Sequence, residues 1–485
     1  TPVSGAMPRP CASFFDVVVD LTAPLPAQGL GIAPDTGVSS ADGVTNVTNL
    51  TFTGALSEAG LSARVYDATL NTFLGAATVS GTGFSFNADF AEGAHRLRIV
   101  GQDLAGNDSA DAFFDIVVDI TPPAAPVSLG ITPDTGSSAT DGVTNTGAVR
   151  FGGTLGENGL AVRVFDVTTG TDFGVATVTG ALFAIDLNLA EGTHRLRATP
   201  EDVAGNSGAA AFFDVVVDLT SPTAATGLGV TPDTGRSATD GVTNQSALTF
   251  LGTTGEAGVT VNLFDTTTNT SLGTATLVGT AFTANLNLAA GTHAIRTTIV
   301  DLAGNASPGA TFTVVVDRTA PAAPAALNIT PDTGASATDG VTNTGAVSFR
   351  GTLAEAGLDV AVFDVTSGVN LGPATVTGTT FAANLALTPG AHRLRAIASD
   401  AAGNASPASF FDVLVDGAAP TGALIFPTAG TAVQTDPGYV DVRWTDIGGS
   451  ALDPASFGVG DVTILCGLTP ISVDAIQVMG GGVVR

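Results

Sequence analysis

The sequence contains no lysine. Its 16 basic residues are all arginine, set against 44 Asp and Glu, for a formal net charge of −28. Phosphate backbones are held by basic surfaces, so no nucleic-acid partner is expected, and an anionic membrane would repel such a chain. Cysteine is almost absent: Cys11 and Cys466 lie 455 residues apart. That spacing excludes a disulfide framework and leaves each folded unit to bury a core of its own. One Trp and two Tyr are too few for an array of aromatic carbohydrate platforms. No apolar run reaches the roughly 18–20 residues of a membrane-spanning helix. The opening residues, Thr1 to Pro10, carry no apolar signal-peptide segment, so the chain reads as mature or as a fragment. Gly-x-Ser-x-Gly, His-Glu-x-x-His and phosphate-loop motifs are missing, and no enzymatic activity is expected. Only 12% of residues are charged, and regular Val, Ile and Phe runs separate the chain from acidic disordered tails.

What the sequence does contain is a fixed period. Val117 to Pro126 reads VVDITPPAAP, a strand end, an acidic hinge and a proline-locked crossing into the next unit. Related words occur at Val18–Pro24, Val216–Pro222, Val315–Pro321 and Leu414–Pro420. Their aspartates, Asp20, Asp119, Asp218, Asp317 and Asp416, are spaced by 99 residues throughout. A constant period decides the architecture. Residues 1–20 read as the closing strand of a preceding or complemented repeat. Residues 21–119, 120–218, 219–317 and 318–416 read as four complete repeats, and 417–485 as a divergent, incomplete β domain. The words PDTG, DGVTN and D-x-A-G-N recur in all four repeats without an insertion. Loops ordinarily tolerate length changes, so this register points to recent duplication or to loops that must each reach a defined place.

Within 120–218 the apolar period is two. Seven short strands are predicted. They are marked by Leu129 and Ile131; Val149 and Phe151; Leu160, Val162 and Val164; Val175–Val178; Phe183 to Leu189; His194, Leu196 and Ala198; and Phe213, Val215 and Val217. Gly, Asn, Asp and Thr turns separate them. The pattern predicts an all-β, seven-stranded Greek-key sandwich of immunoglobulin type, without the disulfide and Trp of antibody domains, repeated in tandem as an elongated rod.

In that topology successive strands alternate in direction. The PDTG…DGVTN loop then lies beside the outgoing hinge, while the L-x-E-x-G turn and the D-x-A-G-N loop face the incoming one. Five carboxylates are expected at each junction. The first complete junction takes Asp35, Asp42 and Asp119 with Glu157 and Asp202. The second takes Asp134, Asp141 and Asp218 with Glu256 and Asp301, and the third Asp233, Asp240 and Asp317 with Glu355 and Asp400. Asp20, Glu58 and Asp103 stand at the entrance to the first repeat, and Asp332, Asp339 and Asp416 at the exit of the fourth. Two carboxylates about 4 Å apart repel by up to ~4 kcal/mol at an effective dielectric near 20, so five together need a cation. Oxygen ligands on flexible loops suit Ca2+ better than Mg2+, which demands tighter octahedral geometry. Asp and Asn also form turns unaided, and any one of these residues could do only that.

His95, His194, His293 and His392 recur on the inward side of one strand. Repeats roughly 40 Å long, at a strand rise of ~3.3 Å per residue, keep them from meeting, so a structural role is expected rather than a shared zinc or catalytic site. Asp67, Asp166, Asp265 and Asp364 end the words VYD, VFD and LFD and read as turn caps, the alternative being that they join the cation site.

The string D-x-T-x-P…PDTG…DGVTN…G-T-L-x-E-x-G…V-F-D…G-T-H-x-L-R…D-x-A-G-N resembles the bacterial Ig-like extender repeats of giant biofilm-type surface adhesins. The resemblance covers residues 13–416. It implies a long stalk at the cell surface or outside the cell, stiffened by Ca2+ through the hinge aspartates, the two loop aspartates, the turn glutamate and the D-x-A-G-N aspartate. After Asp416 the usual x-T-x-P gives way to Gly-Ala-Ala-Pro. The expected function is therefore that of a structural extender, with neighbouring repeats or further copies as partners. The alternative is a filament or sheath subunit. There Phe14–Val19 would complete the sandwich of another copy and bring Cys11 near Cys466.

Overall fold

Strands form where apolar residues fall on every second position, since alternation puts one side of each strand into a core. The computed structural model describes residues 17–333, 336–428, 438–446, 464–466, 469–471, 475–480 and 483–485. The first repeat contains β1 (Gln28–Ala33), β2 (Val44–Thr45), β3 (Asn49–Ala55), β4 (Ser62–Asp67), β5 (Thr72–Ala76), β6 (Thr78–Ser80), β7 (Gly83–Asp89), β8 (Gly93–Gln102) and β9 (Ala112–Val118). One sheet has the order β1-β3-β7-β6 and the other β2-β9-β8-β4-β5. Neighbours are antiparallel except β2 and β9, which run in the same direction. The other three repeats reproduce both orders. Leu50 and Phe52 of β3 meet Val65, Leu97, Ile99, Ile116 and Val118 from the facing sheet, all buried in one core. Each repeat has such a core of its own.

Nine strands replace the seven expected. The stretch Val175–Val178 is the end of one strand and the middle of another. Thr171–Val175 belongs to the five-stranded sheet and Thr177–Thr179 to the four-stranded one. Ala176, buried between them, marks the crossing. The other addition is the two-residue strand Val143–Thr144, the counterpart of β2, inside the PDTG…DGVTN loop. Two residues are too few to display a period.

By contact density the chain separates into two compact units, Thr1–Ser221 with Val300–Ala306, and Pro222–Ile299 with Ser307–Arg485. The second ends in a separate four-stranded sheet containing Thr421–Phe426 and Asp441–Thr445, and a hairpin of Ile464–Cys466 with Thr469–Ile471. Cys11, Phe14 and Phe15 lie outside the described residues, and Val17–Asp20 are exposed and in no strand.

The recurring histidines are buried, and each ties three elements together. His95 Nδ1 is 2.6 Å from Asp67 Oδ2 and Nε2 is 2.9 Å from the Ala91 carbonyl. Asp67 in turn accepts the Thr69 amide, so it caps its turn as expected and also holds the imidazole. The same triple contact recurs at His194, His293 and His392. Two oxygens face two ring nitrogens, whereas a neutral imidazole has one N–H. At His392 an imidazolium donates to both oxygens. In the fourth repeat burial alone would lower the pKa of His392, but the bonds to Asp364 and to the Thr388 carbonyl outweigh it and the value rises. Burial alone would raise Asp364, but the bonds from Ser367, His392 and the Thr366 amide outweigh it and the value falls.

The raised imidazole contributes stability that is complete below its ordinary value of 6.5 and is lost as pH rises through the folded value. The lowered carboxyl contributes stability that is present above 3.8 and lost as pH falls through the folded value. Calorimetry against pH should therefore find the fourth repeat most stable in mildly acidic solution. His392→Ala, which leaves a buried carboxylate unpaired, should destabilise that repeat by about 3–5 kcal/mol.

Candidate functional site at the repeat junctions

The PDTG…DGVTN loop is held from within by its own polar side chains. Asp35 Oδ2 accepts the Gly43 amide at 3.1 Å, and Asp42 Oδ1 accepts the Val44 amide at 3.1 Å. The Asn46 amide donates to Thr36 Oγ1 at 2.9 Å, and the fully buried Thr45 donates to the Pro34 carbonyl at 3.1 Å. Gly43 has φ +78°, and a Cβ there would lie 2.6 Å from the Asp115 carbonyl oxygen. Only glycine lets the loop press this closely on β9. The peptide bonds preceding Pro34, Pro133, Pro232 and Pro331 are cis.

The tip of this loop touches the D-x-A-G-N loop of the following repeat. Thr36 Oγ1 lies 2.9 Å from the Ala204 carbonyl, and the Val38 amide donates to Val203 O at 3.2 Å. Gly37, at φ +89°, faces the Val203 carbonyl so closely that a Cβ would collide with it. Thr135 and Ser137 make the same contacts to Ala303 and Leu302. Thr234 and Arg236 make them to Ala402 and Ala401. Arg236 also pairs with Asp359 at 2.9 Å and donates to the Gly357 carbonyl at 2.8 Å. Ala204, Ala303 and Ala402 are 0–1% exposed, whereas Ala105 of the first repeat is exposed.

The hinge is fastened from the same loop. Asn206 Nδ2 has two hydrogens. One goes to Asp202 Oδ2 and the other to the backbone oxygen of Asp119, each at 2.8 Å. Asn107, Asn305 and Asn404 hold the carbonyls of Asp20, Asp218 and Asp317 in the same way. From the sequence these two loops are expected to meet through their carboxylates. The structure brings them together through Thr36, Gly37, Ala204 and Asn206 and their counterparts. The signal was available, since Thr-Gly in PDTG and Asn in D-x-A-G-N keep the same 99-residue spacing as the aspartates.

The predicted site residues sort into four groups. The hinge residues Asp20, Asp119, Asp218 and Asp317 each accept the amide of the Thr two positions on, and Asp416 accepts that of Ala418. Asp103, Asp202, Asp301 and Asp400 each accept both the amide and the side chain of the Asn four residues on. Glu58, Glu157, Glu256 and Glu355 are exposed on their turns; Glu58 lines one cleft with Asp20 and Asp103. The fourth group is the loop pairs. Asp42, Asp141, Asp240 and Asp339 cap the amide two residues on. In Asp35, Asp134, Asp233 and Asp332 one oxygen accepts the amide of the loop glycine. The other oxygen is buried with no hydrogen-bond partner. Burial, and then the neighbouring Asp141, Asp240 or Asp339, push the carboxyls of Asp134, Asp233 and Asp332 up. Among the described residues no group of three or more His, Cys, Asp or Glu side chains is arranged to hold a metal ion. Asp134, Asp233 and Asp332 each stand beside the second aspartate of their own loop, Asp141, Asp240 or Asp339. A buried carboxylate oxygen without a donor fits a cation ligand.

Gly37→Ala should separate the first two complete repeats without unfolding either. Hydrogen exchange is expected to speed up at the Val38 amide while the amides of β3 and β8 keep their protection. The lost hydrogen bonds correspond to roughly 1–3 kcal/mol.

The profile of the bacterial Ig-like domain matches residues 22–120, 121–219, 220–318 and 319–417. Among solved structures, one described as giving insight into host cell surface retention of a 1.5-MDa bacterial ice-binding adhesin is 18% identical. It covers 61% of this chain and 99% of its own, with a TM-score of 0.28. The BSP domain of a biofilm associated protein is 11% identical and covers 84% and 100%, with a TM-score of 0.17. The FN1–FN3 domains of chicken CNTN1 are 12% identical and cover 61% and 99%, with a TM-score of 0.27. No curated protein matches the chain. Four contiguous matches, each over a nine-stranded sandwich of the same topology, lead to one conclusion: the chain belongs to the bacterial Ig-like domain family.

Proposed function

We propose that the chain is a non-enzymatic extender, a length of stalk that carries an adhesive or anchoring part away from a bacterial cell surface. The observation that carries this reading is the repeated fastening of one repeat to the next. The same Thr, Gly, Ala and Asn contacts occur at Thr36–Ala204, Thr135–Ala303 and Thr234–Ala402. Tandem domains joined by few contacts move freely by default. A hinge whose backbone oxygen is held by the next domain, beside a loop tip seated on that domain, resists bending. The chain's partners are then its own neighbouring repeats, and its place is extracellular.

Ca2+ is part of the proposal. Asp134 with Asp141, and the equivalent pairs Asp35 with Asp42, Asp233 with Asp240 and Asp332 with Asp339, would hold it. Loop carbonyls and water would complete the six to eight oxygens the ion takes. Bound there, the ion would cancel the repulsion within each pair and stiffen the loop that seats on the next repeat. The buried, partnerless oxygen of Asp134 supports this assignment.

Titrating Ca2+ into chelator-treated protein should raise the thermal midpoint, by an amount equivalent to about 2.7 kcal/mol at a hundredfold excess over the dissociation constant. Small-angle scattering should show the maximum dimension growing in parallel. Asp134→Asn should remove one binding equivalent. If midpoint and dimension ignore both Ca2+ and chelator, the metal is not part of the device. Antibody labelling of intact source cells tests the extracellular placement separately.

A further inference from the structure

We propose that each repeat is built to bear tension, and that the element bearing it is the parallel pair formed by the short strand of the DGVTN word and the closing strand of the repeat. In the first repeat these are β2 and β9, with Val44 opposite Val117 and Thr45 opposite Val118. The Val117 amide donates to the Gly43 carbonyl and the Asp119 amide to the Thr45 carbonyl, both at 2.9 Å. All four repeats contain the pair and both bonds.

The direction of the strands makes this pair a clamp. In a parallel pair, the end at which the chain enters one strand lies opposite the end at which it leaves the other. Tension that comes in along β1, reaches β2 and leaves through β9 therefore pulls β2 and β9 past each other along their length. The cross-bonds are loaded together, in shear. An antiparallel hairpin pulled at its open end would instead lose them one at a time. Every other pairing in the sandwich is antiparallel, and this one alone joins the entering part of the repeat to the strand that leaves it.

The surrounding side chains anchor the short strand. Thr45 Oγ1 is bonded to the Pro34 carbonyl, Asp35 holds the Gly43 amide and Asp42 the Val44 amide. On the far side, β9 runs directly into the hinge carbonyl that Asn206 holds. A pull leaving the clamp thus passes into the hinge, where the next repeat's loop is fastened through Asn206. The inference rests on the stalk reading for its biological use, but not for its physics.

Pulling the full chain by its ends in a single-molecule force experiment tests it. Four unfolding events are expected, each releasing on the order of 350 Å of contour at up to 3.6 Å per residue, less the folded length. Forced unfolding reads the unfolding barrier rather than the equilibrium stability. Val216→Pro removes the donor to Gly142 O, an N–H not shared with the adjacent antiparallel strand. It should move one event to lower force and leave three in place. Phe183→Leu, in the core of the opposite sheet, should lower the thermal midpoint of the same repeat while all four forces stay as they were. Four unchanged events with Val216→Pro, or an equal loss of force with Phe183→Leu, would overturn the clamp. Should Val216→Pro leave only three events because its repeat no longer folds, Thr144→Val decides. It keeps the backbone pair and removes the tether to the Pro133 carbonyl: one lowered event supports the clamp and four unchanged ones refute it. The outcome is independent of where the protein resides, so failed surface labelling and a failed clamp are separate results.

Discussion

In the first three repeats one loop must satisfy two partners at once, and the rest of the architecture follows from that. On its inner side the PDTG…DGVTN loop lays two residues parallel to the closing strand, with a glycine pressed against the Asp115 carbonyl. On its outer side it offers a Thr and a Gly to the backbone of the next repeat. An insertion anywhere between Pro34 and Asn46 would shift one face relative to the other. The uninterrupted 99-residue spacing is what such a double constraint requires, and it makes these loops unlike ordinary surface connections, which vary freely.

The sandwich was legible because it rests on short-range pattern. Phe151, Val162, Leu196 and Val215 sit on alternating positions, and all four are buried. The meeting of the PDTG loop with the D-x-A-G-N loop was legible as well, since strand direction alone places them at the same end. The atoms that meet were not. A carboxylate announces itself by charge, whereas Thr36 and Gly37 act through a hydroxyl and through the lack of a side chain, and neither stands out by composition. The pairing of His95 with Asp67 was hidden for a related reason. Alternation states which side of a strand a residue faces and leaves open which residue it meets across 28 positions of chain. The two-residue strand was hidden because its partner lies about 70 residues further on and its length shows no period.

The third repeat separates what the junctions and cores need from what they do not. In the first, second and fourth repeats an outward arginine lies over a phenylalanine ring and beside an aspartate. These are Arg96 with Phe113 and Asp115, Arg195 with Phe212 and Asp214, and Arg393 with Phe410 and Asp412. The third repeat has Ala294, Thr311 and Thr313 at these places. Its strands nevertheless pair in the same register, its histidine keeps both partners, and Val315 and Asp317 keep their bonds to the short strand. Exposed ion pairs contribute little to stability, and here a whole trio is replaced with no change in topology. The loop contacts, the parallel pair and the buried imidazole are unchanged in the same repeat. The shared contacts of the repeats thus rest on backbone carbonyls, glycines and small hydroxyl side chains, and the charged outer faces are free to differ from one repeat to the next.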